Sequence, residues 1–258
     1  MAAAVFVRSI GLAEDGRVAY LTITDAGKRL SQTYNAQFFT QLSFLALCAF
    51  VNRLGLTDSS GYGVASKIVN FAMLIPSALM QSMASFVAQN VGAGKQKRAK
   101  EAMLTGIGVG LIFGCAVFAL VLLKGDVLAS IFSPDTELVQ KGFEYLKGFA
   151  PETIVTAILF SMVGYFNGNN QTLWVMVQGI VQTLLVRLPL SYYMSIQPNA
   201  SLTRIGLAAP VSTVVGIILN IIFYVYLSKK APRYKPELAA ILLSISGFTA
   251  IYKSSIAG

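Results

Sequence analysis

The chain contains no histidine, so it lacks the side chain that most often performs acid–base catalysis or binds a metal near neutral pH. Cysteine is scarce as well. Cys48 and Cys115 lie far apart in apolar segments, without the spacing of a metal site or of a disulfide framework. Because no cluster of metal ligands and no pair of catalytic carboxylates can be recognised either, an enzyme is the least expected class of function.

Charged residues are also few. They make up 12% of the 258 residues, whereas hydrophobic residues make up 55%, and the mean hydropathy is +0.65. A chain of this composition cannot cover its surface with groups that water solvates. A helix that spans a bilayer needs about 20 mostly apolar residues, so the length allows six crossings and no separate soluble domain. The composition predicts an all-α, polytopic membrane protein with a bundle of six transmembrane helices.

Hydrophobic runs and turn residues divide the chain into three regions. Residues 1–34 are predicted to be a partly disordered cytoplasmic lead-in, in which VAYLTI could pair as a short strand. Residues 35–230 are predicted to form the six-helix membrane domain, and residues 231–258 a cytoplasmic or interfacial tail. The six helices are predicted at about 35–56, 63–91, 99–123, 137–168, 173–195 and 205–227.

Basic residues are distributed unevenly between the two ends of the predicted helices. The formal net charge is +9, and most lysines and arginines fall in residues 1–34, in the connection at 93–100 and after residue 228. In polytopic membrane proteins, loops rich in lysine and arginine remain in the cytoplasm. The pattern therefore predicts that both termini are cytoplasmic, and it explains the basic charge without a nucleic-acid partner.

One carboxylate, Glu152, lies at the middle of the helix predicted at 137–168. A charged side chain at the bilayer centre costs roughly 2.5–3.5 kcal/mol, so such a residue usually faces a cavity, a partner or a proton path. Pro151 precedes it and is expected to loosen the helical hydrogen bonds nearby. Glu152 is the first functional candidate, and a hydrogen-bonded structural glutamate is the alternative.

Small and polar side chains recur at helical spacing in other predicted helices. In the second helix, polar residues every four positions lie on one face, where they either join helices or line a polar cavity. They are Ser77, Gln81, Ser85 and Gln89. In the third helix, Gly106, Gly110 and Gly114 form a row that should let another helix approach closely.

The segment GAGKQKRAKEA between the second and third predicted helices resembles a phosphate-binding loop only superficially. A P-loop requires a glycine where Gln89 stands and a serine or threonine where Gln96 stands. The match fails at both positions. A cytoplasmic turn between two membrane helices accounts for the glycines and for the positive charges together.

Four segments carry a resemblance to a known family: LIPSALMQSMASFVAQNVGAGKQKRAKEA, YLKGFAPETIVTAILFSMVGYFNGNNQT, VRLPLSYYMSI and IGLAAPVSTVVGIILNI. They are similar to the second six-helix lobe of MATE (multidrug and toxic compound extrusion) transporters, over roughly residues 36–230. Members of that family have twelve helices in two pseudo-symmetric lobes around a central cavity. The resemblance implies a multidrug antiporter of the cell inner membrane that exchanges substrates for H⁺ or Na⁺.

The resemblance also implies roles for particular residues. Glu152 stands where many relatives have an aspartate in the second lobe, so it is expected to bind the coupling ion with the assistance of Thr156. Four polar side chains are expected to line the substrate cavity: Gln81, Ser85, Gln178 and Gln182. No cofactor is implied beyond the coupling H⁺ or Na⁺. The expected partners are the lipid bilayer and small organic, mainly cationic, substrates.

The chain departs from the family pattern because no other six-helix set precedes residue 35. It resembles half of a transporter, which implies a truncated product, a partner half or pairing of two copies. A lipid or oligosaccharide flippase is the alternative function, but such proteins usually line their cavity with several basic residues. Arg187 and Lys67 are the candidates here. A non-transporting membrane scaffold is a further alternative.

Overall fold

The computed structural model describes residues 7–12, 19–23, 42–43 and 45–230. In this part of the chain, two strands precede seven helical elements. The strands are β1 (Val7–Leu12) and β2 (Ala19–Ile23). The helices are α1 (Leu45–Leu54), α2 (Leu56–Gly92), α3 (Gln96–Ser130), α4 (Thr136–Phe149), α5 (Glu152–Gly168), α6 (Thr172–Ile196) and α7 (Leu202–Lys230).

The two strands form an antiparallel pair within the predicted lead-in, with Leu12 opposite Ala19 and Val7 opposite Ile23. The pairing is irregular between Val7 and Ser9. β2 covers AYLTI, where the sequence allowed a short strand. The predicted tail at 231–258 lies outside the described residues.

The helices have the length and composition of membrane spans. By themselves α2, α3, α6 and α7 are long and apolar enough to cross a bilayer, and the bent pair α4–α5 makes a fifth span. The beginning of the first predicted helix, before residue 42, falls outside the described part, and α1 supplies ten residues of it. The predicted all-α, polytopic membrane fold is confirmed.

The prediction of one continuous helix over 137–168 is wrong. α4 ends at Phe149, α5 begins at Glu152, and their axes are bent by 49°. Pro151 has no backbone N–H and cannot continue the helical ladder. The Thr153 hydroxyl donates to the Ala150 carbonyl at 2.8 Å and to the Gly114 carbonyl of α3 at 3.1 Å, which stabilises the break.

The turn between α2 and α3 is the one predicted at GAGK. Gly94 has φ of 73°, the left-handed conformation that glycine adopts without a steric cost. The backbone N–H of Lys95 then donates to the Asn90 carbonyl at 2.8 Å, and this bond closes the end of α2. The predicted exclusion of a phosphate-binding loop agrees with this short helix-to-helix turn.

Two helices are longer than the hydrophobic pattern predicted, because their polar ends continue the backbone ladder. α2 begins at Leu56 rather than near residue 63, and it runs without interruption through Pro76. α3 reaches Ser130 rather than stopping near residue 123. Its backbone is distorted at Lys124, where the apolar run ends.

α6 contains a segment of π-helix from Val181 to Arg187. The N–H of Leu188 donates to the Thr183 carbonyl, five residues earlier, instead of to the residue four positions before it. Pro189 follows directly and has no N–H for the ladder. The sequence predicts a regular helix here and does not reveal this wider turn.

α5 is the central helix of the bundle. It packs against α2, α3 and α7, and nearly all of its side chains are buried. The glycine row of α3 makes close approaches: a Cβ added at Gly110 would lie 3.0 Å from the Ala157 Cβ, and one at Gly114 would lie 2.6 Å from the Thr153 carbonyl oxygen. The prediction that this row faces a neighbouring helix is confirmed.

We expect Gly110→Leu to impair folding, because the added side chain would collide with α5 at Ala157. Overpacking of this kind costs typically about 1–3 kcal/mol. Gly108→Leu is the matched control, since Gly108 is on the same helix and a Cβ there has open space around it. Thermal unfolding and the yield of monodisperse protein in detergent measure the effect. Equal behaviour of the two variants would contradict the packing account.

Candidate functional site

Glu152 is the first residue of α5, halfway along the broken α4–α5 span. Its side chain is 8% exposed, so it lies within the protein and not against lipid. The break changes its surroundings in one important respect. The N-terminus of a helix carries a partial positive charge that favours a nearby carboxylate. Glu152 therefore receives a stabilising interaction that a position inside a continuous helix would not provide.

A chain of hydrogen bonds connects this carboxylate to α7 and α6. The Thr213 hydroxyl donates to Glu152 Oε1 at 2.8 Å. Gln182 Nε2 donates to Thr213 Oγ1 at 3.1 Å, and Gln178 Nε2 donates to Gln182 Oε1 at 2.6 Å. Three helices thus contribute to one polar network. We call Glu152, Thr213, Gln182 and Gln178 the polar chain.

Gly216 of α7 provides the space for the two glutamines. A Cβ at this position would lie 2.7 Å from Gln178 Nε2 and would also collide with Gln182 Oε1. Gly216 is one turn after Thr213 on α7, so both residues face the same neighbour. The absence of a side chain at position 216 lets α6 present its amides to Thr213.

Two buried oxygen atoms beside the polar chain have no hydrogen-bond partner among the described residues. They are Glu152 Oε2 and Thr156 Oγ1. Thr156 lies one turn after Glu152 on α5, and its hydroxyl is close enough to interact with the carboxylate, so the two oxygens have each other as their nearest polar neighbour. Buried polar atoms in proteins are usually paired with protein or with a bound species. This pair of oxygens is the place in the site where a proton or cation could be held.

A cation and a phenol interact with Glu152, and a second phenol packs on the first. The Arg187 guanidinium interacts electrostatically with the carboxylate and is in hydrogen-bonding contact with the Tyr145 hydroxyl. The Tyr62 ring packs edge-on against the Tyr145 ring, with 4.9 Å between centroids. The π-helical segment helps to bring Arg187 to this face. Its i to i−5 bonds widen the turn, so position 187 comes closer to the face of Gln182 than it would in an α-helix.

The structure brings together four of the six predicted site residues. Glu152, Thr156, Gln178 and Gln182 meet at the polar chain. Gln81 and Ser85 instead lie on the exposed outer face of α2. No hydrogen bond joins either of them to the polar chain in the described structure. The functional roles of all six remain predictions.

The sequence does not identify three of the residues that form the site around Glu152. Thr213 and Gly216 are ordinary residues in an apolar helix, and only the packing of α7 on α5 and α6 gives them a role. Arg187 is visible as a basic residue, but the sequence does not pair it with Glu152. One feature of the sequence could have indicated the pairing: Arg187 follows Gln178 and Gln182 in an apolar helix, where a charge without a partner is costly. Within the described residues, no group of three histidine, cysteine or acidic side chains could hold a metal ion.

Comparison with known proteins is consistent with this architecture. The family model described as MatE matches residues 34–193, which is more than half of the chain. The probable multidrug resistance protein YoeA of Bacillus subtilis is 22% identical over 193 residues, which cover 73% of this chain and 41% of that protein. An FAD transporter of Shewanella oneidensis is 26% identical over 154 residues, covering 58% of this chain and 33% of that one.

Solved structures share the fold. A crystal structure of MATE in the bent conformation superposes with a TM-score of 0.72 at 15% identity, covering 80% of this chain and 46% of that chain. A MOP superfamily transporter from Pyrococcus furiosus gives a TM-score of 0.71 at 16% identity, covering 89% of this chain and 53% of that chain. The binding pocket of that transporter has reverse polarity, which suggests a different function for it.

The present chain spans about half the length, or less, of the proteins that it matches. The matched part contains the helices that build most of the polar chain. Because members of this family are transporters, the expectation that the protein is not an enzyme is confirmed. The family match and the shared fold show that the chain belongs to the MatE family of multi-pass membrane transporters.

Proposed function

We propose that the chain forms the second lobe of a cation-coupled antiporter that exports small organic cations across the cell membrane. Glu152 is the ion-coupling residue, assisted by Thr156, and H⁺ or Na⁺ is the coupling ion. The names of several relatives, probable multidrug resistance proteins of Bacillus species, support export as the activity. The site supports ion coupling, because it holds a buried carboxylate inside a membrane span.

One observation carries the proposal: Glu152 Oε2 and Thr156 Oγ1 are buried next to each other, and neither is hydrogen-bonded to any other group of the described residues. A proton on Oε2 would allow the carboxyl group to donate to the Thr156 hydroxyl. A Na⁺ ion would instead take both oxygens as ligands, since hard cations prefer oxygen. Either ion would give both oxygen atoms a bonding partner. The arrangement therefore suits a site that binds and releases the coupling ion in turn.

The polar chain offers a way for the ion to affect the substrate side of the lobe. Thr213 donates its only hydroxyl proton to Glu152 and accepts from Gln182. Neutralising the carboxylate weakens the bond from Thr213, because hydrogen bonds to an ionised acceptor are roughly twice as strong as neutral ones. The Thr213 hydroxyl is then free to reorient, and the amides of Gln182 and Gln178 can exchange this contact for one to a substrate.

The charges of the site favour a cationic substrate over a pyrophosphate-linked one. Arg187 is the basic residue that interacts with Glu152, and it also contacts Tyr145. A flippase site would need several basic side chains directed into the cavity. Here the Glu152 carboxylate offsets the charge of Arg187, so the site lacks the excess positive charge that a pyrophosphate requires. The FAD transporter among the relatives indicates that substrates of other kinds occur in similar proteins. The carboxylate is the reason to place this chain with the exporters of cations.

The exposed face of α2 completes the proposal. Gln81 and Ser85 are exposed on this face, although α2 has the length and composition of a membrane-spanning helix. Polar side chains at membrane depth normally face protein or water. We assign this face to the central cavity, opposite a first lobe supplied by another chain or by a second copy.

Transport by vesicles from the native host tests the function. Everted vesicles that contain the full chain should accumulate a fluorescent organic cation when H⁺ or Na⁺ is more concentrated inside the vesicles than outside. An ionophore that collapses this gradient should abolish the accumulation. Vesicles from a strain that lacks the chain are the control. Equal accumulation with and without the chain would contradict the proposed function.

The orientation is tested separately. With six crossings and cytoplasmic termini, reporter fusions after Lys100 and after Arg233 should both report the cytoplasm. A fusion at Asp58 should report the external side, because Asp58 lies in the first turn of α2 and the other end of that helix leads to Lys100. A cytoplasmic signal at Asp58 would show that the number of crossings or the orientation is wrong.

A further inference from the structure

A groove of about 520 Å³ lies between α2 and α3, away from the polar chain. Apolar side chains of both helices line it, among them Leu79, Phe86 and Val109. Gly106 forms part of its floor, over which the end of the Met83 side chain packs. The groove is therefore a slot between two membrane helices and not a part of the ion site.

The polarity of the groove changes along its length. Arg98 and Glu101 line one end, in the first turns of α3, and Val109 lines the part farthest from them on that helix. Ser82 and Thr105 lie between the two ends. The eleven positions from Arg98 to Val109 correspond to about 16 Å of helix. This length is close to half of the roughly 30 Å hydrocarbon core, which is the depth of one lipid leaflet.

The polar end of the groove lies beside a strongly basic turn. It adjoins the α2–α3 turn, where four cations occur within six residues: Lys95, Lys97, Arg98 and Lys100. Glu101 is the acidic residue there, and Lys97 offsets it with an ion pair at 3.9 Å. Arg98 is exposed and lines the groove, so its guanidinium is available to a ligand at the membrane surface. The end of the groove thus favours an anion.

We propose that this groove binds one anionic phospholipid, with an acyl chain against Leu79, Met83 and Val109 and the phosphate at Arg98. Along α3 the lining changes from Arg98 and Glu101 through Thr105 to Val109, which is the order of charged headgroup, polar glycerol region and apolar chain along a lipid. Basic pockets between transmembrane helices bind anionic headgroups in this way. A zwitterionic lipid would fill the slot but would gain less from the cationic end.

Purified full-length protein in detergent tests the charge requirement. Short-chain phosphatidylglycerol should raise the melting temperature in a saturable manner, and short-chain phosphatidylcholine at the same concentration should raise it much less. Arg98→Gln should weaken the apparent affinity for phosphatidylglycerol by about fivefold, the factor equivalent to about 1 kcal/mol per basic side chain near an anionic surface. Lys229→Gln is the matched control, because it removes one exposed charge from the end of α7 and should leave the affinity unchanged.

A second variant tests the groove itself. Thr105→Phe places a ring in the middle of the slot from an exposed position, and it should abolish the selective effect of phosphatidylglycerol. Ile112→Phe adds a ring at a position that is 72% exposed on the same helix and does not line the groove. This control should bind lipid as the unmodified chain does.

Two results would overturn the proposal. The first is equal stabilisation by the two lipids in the unmodified chain. The second is selective binding of phosphatidylglycerol that persists in both Arg98→Gln and Thr105→Phe. Neither result bears on ion coupling at Glu152, so the two proposals can fail independently.

Discussion

Glu152→Gln is expected to abolish ion-coupled export while the protein remains folded. Glutamine keeps the size of the side chain and can still accept the bond from Thr213, which now reaches Glu152 Oε1 at 2.8 Å. It cannot ionise, so it can neither release a proton nor neutralise a bound Na⁺. We expect at least about a hundredfold loss of coupled transport, in the range that loss of an essential acid–base group causes.

The conservative change Glu152→Asp should retain part of the activity, because the acid is kept and its reach is shortened. Glu137→Gln is the matched control: it removes an exposed carboxylate from the first turn of α4 and should have no effect on transport. Transport is measured in everted vesicles under imposed H⁺ and Na⁺ gradients at equal protein levels. Unchanged coupling in Glu152→Gln would reduce this residue to a structural role.

Arg187→Gln is expected to produce the second large effect, a loss of stability. The substitution removes the positive charge that now interacts with Glu152 and its contact with Tyr145. A buried carboxylate without this compensation is costly, and interacting pairs typically show coupling energies of about 0.5–3 kcal/mol. The melting temperature in detergent should therefore fall. The matched control is Arg204→Gln, at an exposed position near the start of α7.

The double variant isolates the interaction between the two charges. When Glu152→Gln is already present, Arg187→Gln should cost less stability than it does alone, because no carboxylate remains to be compensated. Additive effects of the two substitutions would show that Arg187 stabilises the protein independently of Glu152. The cycle separates this electrostatic interaction from the contact with Tyr145.

The sequence identified Glu152 because a charged group in an apolar helix carries a large energetic penalty that is visible without a structure, and the family resemblance added Gln178 and Gln182. It did not identify Thr213 or Gly216, whose roles depend on which residues α7 meets when it packs against α5 and α6. These contacts join residues about 30 to 60 positions apart in the chain, and helical periodicity carries no information about them.

In the fold, too, features set by local sequence were predictable, whereas features set by contacts between helices were not. Glycine spacing predicted that α3 packs closely on another helix, since small residues every four positions mark a helix face, and the structure shows that this helix is α5. Proline was ambiguous, because Pro76 and Pro210 lie inside continuous helices whereas Pro151 stands at a 49° bend. At the bend, Thr153 donates to the Ala150 carbonyl and to the carbonyl of Gly114 on α3. That support comes from a neighbouring helix, so the break could not be predicted from local sequence.

The central claim, that Glu152 binds the coupling ion, can be tested on the full chain alone by infrared difference spectroscopy. Reconstituted protein is cycled between acidic and alkaline buffer, and between buffers with and without Na⁺. We predict a carboxyl band that appears and disappears with these changes, is lost in Glu152→Gln and is retained in Glu137→Gln. An identical band in Glu152→Gln would contradict the claim, because another group would then be exchanging the ion.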